Sequence, residues 1–174
     1  VQCIQLEDQV SPKRCGHMDN KEVVSLEEAR SKIAAAVAAR NSSDFLIMAR
    51  TDARATHNLD EALRRAEAFL EAGADILFVE APASFEEMEV IKNRFPSTFL
   101  VANMVEEGKS PERGIDELHQ AGFQIVLRPI SALLSVARTL QQSYSDLADF
   151  GRLQDTNARL SFQQYNKVVG EEST

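Results

Sequence analysis

Ala72-Gly73-Ala74-Asp75-Ile76-Leu77-Phe78-Val79-Glu80 is the stretch that decides how this chain folds. It reads as a helix end marked by glycine, then a short apolar strand, then a carboxylate. A second passage, Ala121-Gly122-Phe123-Gln124-Ile125-Val126-Leu127, echoes it. Such an echo points to repeated helix-to-strand units.

Working outward from these passages, short β-rich runs alternate with amphipathic stretches along the whole chain. The expected strands are Gln2–Glu7, Phe45–Arg50, Ile76–Glu80, Phe99–Asn103 and Ile125–Pro129. Each is nearly all apolar, the pattern of strands buried on both faces of a parallel sheet. Ser25 with Glu28, Asn58 with Glu61 and Ser84 with Glu87 are spaced as capping boxes and predict helix starts. Ser110-Pro111 reads as an N-cap followed by a first helical residue. A long helix is expected over about 132–149, then a polar link over 151–159, then a short helix opening at Ser161 with Gln164 completing its cap. Residues 1–150 are therefore read as one layered β/α body, and 151–174 as a link and terminal helix.

Repeated β/α units build either a doubly wound sheet or a (β/α)8 barrel. No Gly-x-Gly-x-x-Gly or Walker-type loop follows any of the strands, which argues against nucleotide binding. The strand ends favour the barrel. Glu7, Arg50, Glu80 and Asn103 each stand at the C-terminal end of a different strand, and in a barrel those ends converge on one face that carries the active site.

Composition excludes several function classes. The chain has 174 residues and a formal charge of −8, which disfavours nucleic acid and anionic membranes as partners. Its apolar runs are too short to span a bilayer. The two cysteines, Cys3 and Cys15, suggest a reducing compartment, cytoplasmic or mitochondrial, rather than a disulfide scaffold. Cys3 lies inside an apolar run and reads as a small core residue. His119 falls on a helix and is expected to face solvent, as are Glu86, Glu87 and Glu89. His57 follows the Arg50 strand in a loop, and the three histidines form no zinc motif.

Cys15 is different. It stands in Glu7-Asp8-Gln9-Val10-Ser11-Pro12-Lys13-Arg14-Cys15-Gly16-His17, flanked by cations. Nearby positive charge stabilises a thiolate, so Cys15 is a candidate for proton exchange near neutral pH. The plain alternative is a basic surface loop that happens to contain a cysteine.

With these residues in view the chain resembles the isocitrate lyase and phosphoenolpyruvate mutase superfamily, especially the branch with 2-methylisocitrate lyase and the 2-alkylmalate- and oxaloacetate-cleaving enzymes. The resemblance rests on Leu6-Glu7-Asp8-Gln9, Lys13-Arg14-Cys15-Gly16-His17, Ala49-Arg50-Thr51-Asp52-Ala53, Phe78-Val79-Glu80-Ala81-Pro82 and Asn103-Met104-Val105-Glu106, in that order. It implies a (β/α)8 TIM barrel of the phosphoenolpyruvate/pyruvate type, of which this chain supplies the last five β/α units and a C-terminal helix. It also implies a Mg2+-dependent C–C lyase that splits a small 2-hydroxy or 2-oxo polycarboxylate into a 2-oxo acid and a carboxylate.

The same resemblance assigns roles. Cys15 is implied as the general acid, with Lys13, Arg14, Gly16 and His17 on a substrate-binding loop. Arg50 is implied as the cation for substrate carboxylate and developing oxyanion, Glu80 and Asn103 as pocket residues with Glu80 catalytic, and Glu7 as a partner of Mg2+ through water. The direct metal ligands, an Asp-x-Asp pair in the family, have no counterpart here, so the chain alone is expected to be inactive. The family's Gly-Gly-Lys reads Glu107-Gly108-Lys109, a change expected to bear on specificity. A homotetramer with exchanged C-terminal helices is implied, and no nucleic acid or membrane partner. Two other readings stand beside the lyase: C–P chemistry of the carboxyphosphonoenolpyruvate or phosphoenolpyruvate mutase type, and a truncated non-catalytic homologue.

Overall fold

The computed structural model describes residues 1–14, 21–155 and 159–171, so Cys15, Gly16 and His17 lie outside the described residues. The chain divides into two compact units, Val1–Pro129 and Ile130–Thr174.

In the first unit, β1 (Cys3–Glu7), β2 (Leu46–Thr51), β3 (Ile76–Val79), β4 (Phe99–Asn103) and β5 (Ile125–Leu127) form one sheet in sequence order. All four pairings are parallel. The connections hold α1 (Leu26–Ala39), α2 (Ala53–Thr56), α3 (Leu59–Glu71), α4 (Phe85–Arg94) and α5 (Ile115–Gln120). Strands that follow one another in the chain lie side by side with no reversal of order. That is the winding of a barrel, since a doubly wound sheet reverses at a switch point. The sheet is a curled half-barrel, as the alternation implies, with strand bounds within two residues of those read from sequence.

The two faces of the sheet are covered differently. Ile47, Ala49, Leu77, Val79, Leu100 and Ala102 pack with Phe69, Met88, Ile91 and Leu118 of the helices. The opposite face carries a smaller cluster of Ile76, Phe78 and Val101, joined by the partly buried Cys3, Met48 and Leu127. Side chains alternate between faces along a strand. Counting in steps of two along this inner face, Cys3 leads to Glu7, Met48 to Arg50, Phe78 to Glu80 and Val101 to Asn103. The apolar inner cluster thus gives way to polar side chains at its C-terminal rim.

The helix starts follow their caps. The side chains of Ser25, Asn58 and Ser84 accept from the backbone N–H groups of Glu28, Glu61 and Glu87. Glu87 does more than face solvent: its carboxylate takes two bonds from Arg54, at 2.8 and 2.7 Å, tying α2 to α4. Ser110-Pro111 does not open a helix. α5 begins at Ile115 behind Gly114, whose N–H donates to Glu117. The preceding residues are held as a rim loop by Arg113 stacking 5.0 Å over Phe85 and by Arg128 donating to the Arg113 carbonyl at 2.7 Å.

The sequence echo is an echo of hydrogen bonds. After α3, Gly73 N–H donates to Leu70 O and Ala74 N–H to Phe69 O; after α5, Gly122 donates to His119 O and Phe123 to Leu118 O. Both are Schellman closures, which need a left-handed residue at the glycine position, and Gly73 and Gly122 have φ of 97° and 86°. Each closure reverses the chain from an outer helix into the next inner strand.

In the second unit, α6 (Ser131–Phe150) ends at left-handed Gly151, and α7 (Phe162–Val169) ends at Gly170. Ser161 and Gln164 form the expected reciprocal cap on α7. Buried Asp146 accepts from Gln142 and from the backbone of Gln154, fastening the link to α6. Among the described residues no helix is long and apolar enough to cross a membrane.

Gly73→Ala should destabilise the protein by about 1–2 kcal/mol, the cost of a left-handed L-residue. The added Cβ would also meet Val37 Cγ1 at 3.0 Å. A shift in urea midpoint measures it, and a neutral result would remove the closure from the list of fold determinants.

Candidate active site at the strand ends

The four strand-end residues singled out from sequence come together. Arg50 Nε lies 3.3 Å from Glu7 Oε2, Arg50 Nη2 lies 3.5 Å from Glu80 Oε1, and Asn103 Nδ2 donates to Glu80 at 3.2 Å. The chain of contact runs along the rim in strand order. The register explains the first step, because Glu7 pairs with Arg50 across β1 and β2.

Arg50 is the hub. Asp52 takes its Nε and Nη2 protons at 2.8 and 3.0 Å, a two-pronged grip, and the guanidinium sits 4.9 Å over the Phe78 ring. Because the Nε proton is committed to Asp52, Glu7 Oε2 gains attraction from Arg50 but no hydrogen bond. It is left as a buried oxygen without a hydrogen-bond partner among the described residues. Among the described residues the hydrogen bonds of the Arg50 guanidinium run through Nε and Nη2. Nη1 is the nitrogen that those bonds leave for a further acceptor.

A deeper layer was not assigned from sequence. Asp8, 1% exposed, accepts from Thr51 Oγ1 at 2.7 Å, from the Asp52 backbone N–H at 2.9 Å and from Arg65 Nη1 at 3.0 Å. Lys21 Nζ lies 3.2 Å from Asp52 Oδ1. Asp8, Thr51 and Asp52 stand inside the motifs Leu6-Glu7-Asp8-Gln9 and Ala49-Arg50-Thr51-Asp52-Ala53, so their neighbours were the available signal. Arg65 and Lys21 offered none, since nothing local distinguishes them from surface cations.

Near the cysteine segment, Lys13 Nζ reaches Glu7 Oε1 at 3.2 Å, and Arg14 is exposed. Gln9 clamps the backbone of Arg14 with both ends of its amide, each at 2.9 Å. Backbone bonds from Val10 N–H to Glu22 O and from Val24 N–H to Asp8 O join the two ends of this segment. Cys15, Gly16 and His17 themselves fall outside the described residues. His57 and His119 are exposed, and the His57 ring Nδ1 lies 2.8 Å from Thr56 Oγ1.

Electrostatics separate the carboxylates. Burial pushes the Glu80 carboxyl above its ordinary value despite Arg50, because that guanidinium is divided among three carboxylates. Burial likewise raises Asp8. Burial acts upward on Asp52 too, yet its hydrogen bonds and charge contacts with Arg50 and Lys21 outweigh it and hold the group below the usual range.

Among the described residues no three His, Cys, Asp or Glu side chains are grouped to hold a metal ion directly. The unpartnered oxygens here, Glu7 Oε2 and Asn103 Oδ1, are hard donors of the kind that fit the water shell of Mg2+, an ion that keeps several waters when bound. The rim thus fits an outer partner of Mg2+ and not a complete ligand set.

A family profile described as phosphoenolpyruvate phosphomutase matches residues 1–148. The chain is 43% identical to 2,3-dimethylmalate lyase of Eubacterium barkeri, with 99% of this chain and 60% of that protein covered. It is 40% identical to the chloroplastic carboxyvinyl-carboxyphosphonate phosphorylmutase of Arabidopsis thaliana, covering 97% and 50%. A crystal structure of 2,3-dimethylmalate lyase matches with a TM-score of 0.89 at 33% identity, over 97% of this chain and 56% of that one. A phosphonopyruvate hydrolase complexed with oxalate and Mg2+ matches with a TM-score of 0.78 at 26% identity, over 98% and 59%. The chain therefore spans little more than half the length of these relatives.

The raised Glu80 carboxyl predicts a pH signature. The folded state binds this proton more tightly than the unfolded state, so wild-type stability falls as pH rises from the ordinary glutamate value of about 4.3 through the raised one. Glu80→Gln lacks that loss. The difference in urea midpoint, variant minus wild type, should grow as pH rises above the ordinary glutamate value of about 4.3; a difference independent of pH would place Glu80 at its ordinary value.

Proposed function

The chain belongs to the phosphoenolpyruvate mutase family, and from that membership we propose that it is the part of a carbon–carbon lyase that binds the substrate anion and returns the proton. The substrate would be a small 2-hydroxy or 2-oxo polycarboxylate of the 2,3-dimethylmalate or 2-methylisocitrate kind, and the products a 2-oxo acid and a carboxylate. The observation that carries this reading is the buried Arg50 guanidinium at the strand rim, gripped by Asp52 through Nε and Nη2 so that Nη1 stands outside those bonds. Beside it Glu7 pairs with Lys13, which stands two residues before Cys15 in the chain.

Cleaving such a substrate leaves an electron pair on carbon next to a carboxylate. That enolate-like charge needs nearby cations and then a proton. Arg50 would bind a substrate carboxylate through Nη1 while Asp52 keeps its other edge fixed. Glu80, with Asn103 bonded to it, would border the same pocket. Glu7 and Asn103 would hold waters of Mg2+, whose contribution when bound is to polarise oxygens of the 2-oxo-acid half. Cys15 would give its proton to the new carbanion and recover it before the next turnover, with Lys13, Arg14 and His17 stabilising the thiolate between.

Likeness to a phosphorylmutase supports a second reading, C–P bond chemistry. Lyase turnover discriminates the two. In the intact protein with Mg2+, assayed on 2,3-dimethylmalate and 2-methylisocitrate, Cys15→Ser should lower turnover by about 10²–10⁴-fold, the range for general acid–base groups. Oxalate binding should survive. Turnover near wild type would remove the acid role from Cys15, and an intact wild type without turnover on either acid would overturn the lyase reading and leave C–P chemistry or a non-catalytic homologue.

We also propose a homo-oligomer, a tetramer by family likeness. α7 presents Phe162, Tyr165, Val168 and Val169 exposed, and α6 presents Leu133, Val136, Leu140 and Leu147. A short isolated helix is marginal in water, and apolar faces of this kind mark docking surfaces. Sedimentation velocity of the intact protein should give an assembly larger than a monomer; a monomer at micromolar concentration would refute it.

A further inference from the structure

Two ion-pair chains reach Arg50 from the two ends of the segment that contains Cys15. One runs from Lys13 Nζ to Glu7 at 3.2 Å and from Glu7 to Arg50 Nε at 3.3 Å. The other runs from Lys21 Nζ to Asp52 Oδ1 at 3.2 Å and from Asp52 to Arg50 through two hydrogen bonds at 2.8 and 3.0 Å. The chains differ in their exposure to water. The Lys13 side chain is 62% exposed, whereas those of Lys21 and Asp52 are 2% and 0% exposed. Solvent and salt screen the first arm and leave the second nearly unscreened.

We propose that Lys21 is a positioning residue for substrate binding: through Asp52 it fixes the Arg50 guanidinium with its Nη1 edge turned to the substrate. This rests on the lyase reading and adds a residue that sequence did not single out. Asp52 is suited to the task. Its backbone N–H is pinned by Asp8 Oδ1 at 2.9 Å, and its Oδ1 is shared between Arg50 Nη2 and Lys21 Nζ. The Asp52 grip leaves Arg50 little freedom about its terminal bonds, while Glu7 and Glu80 pull on the same cation from either side. Without Lys21, three carboxylates (Glu7, Asp52, Glu80) would face two cations (Arg50, Lys13) instead of three. The surplus negative charge would draw Arg50 inward and repel an incoming carboxylate.

The test uses the intact protein with Mg2+, with oxalate as binding probe and 2,3-dimethylmalate as substrate. Lys21→Met keeps the length of the side chain and removes its charge. It should raise the oxalate Kd and the KM by about 10- to 100-fold, the range for a lost hydrogen bond to a charged group, with a smaller change in kcat because the proton donor is untouched. Lys21→Arg should recover most of the binding, since it restores a cation to Asp52. Oxalate binding by calorimetry gives a readout independent of turnover. An unchanged Kd and KM in Lys21→Met, or a loss confined to the urea midpoint and active fraction, would overturn the positioning role while leaving the lyase reading intact. A wild type that neither binds oxalate nor turns over 2,3-dimethylmalate would overturn both.

Discussion

The rim of this half-barrel depends on one buried guanidinium shared among three carboxylates. Arg50 is gripped by Asp52, attracted by Glu7 and faced by Glu80. A lone buried cation would be prohibitively costly to desolvate, and so would any of the three carboxylates alone. Together with Lys21 and Lys13 they come close to neutrality. Sharing also explains why the carboxyl groups diverge: Asp52 accepts from Arg50 and Lys21 and is held low, while burial of Glu80 outweighs the attraction of Arg50 and the Asn103 hydrogen bond and pushes it up.

Beneath this layer Asp8 serves as a cross-link. It gathers Thr51, the Asp52 backbone and Arg65, joining the ends of β1 and β2 to α3. Arg65 also donates to Glu61 and to the Val24 carbonyl. A fully bonded polar network of this kind is costly to break and leaves few alternative arrangements. The left-handed backbone of Ala81, at φ 55° directly after Glu80, is strain of the kind that persists where neighbours over-determine the chain.

Much of the fold was legible because it is written in local periodicities. Apolar strands, Ser and Asn caps and the glycines at 73 and 122 each act over a few residues, and each is met in the structure by the hydrogen bonds expected of it. Ser110-Pro111 misled because a cap signal is overridden when tertiary contacts claim the segment, here Arg113 on Phe85 and Arg128 on the Arg113 carbonyl. Glu87, expected on a solvated face, is instead gripped by Arg54, which lies 33 residues away in the chain.

The sequence by itself determined which strands run in parallel order and that Glu7, Arg50, Glu80 and Asn103 share one rim, because strand ends and the two-residue alternation are local properties. Only the tertiary structure decided which partners each of those groups keeps. That Asp52 grips Arg50 through Nε and Nη2, that Asp8 meets Arg65 across 57 residues, and that Lys21 is buried while Lys13 stays in water all follow from folding distant segments together. Charge in a chain says nothing of its surroundings until burial sets the dielectric and the neighbours.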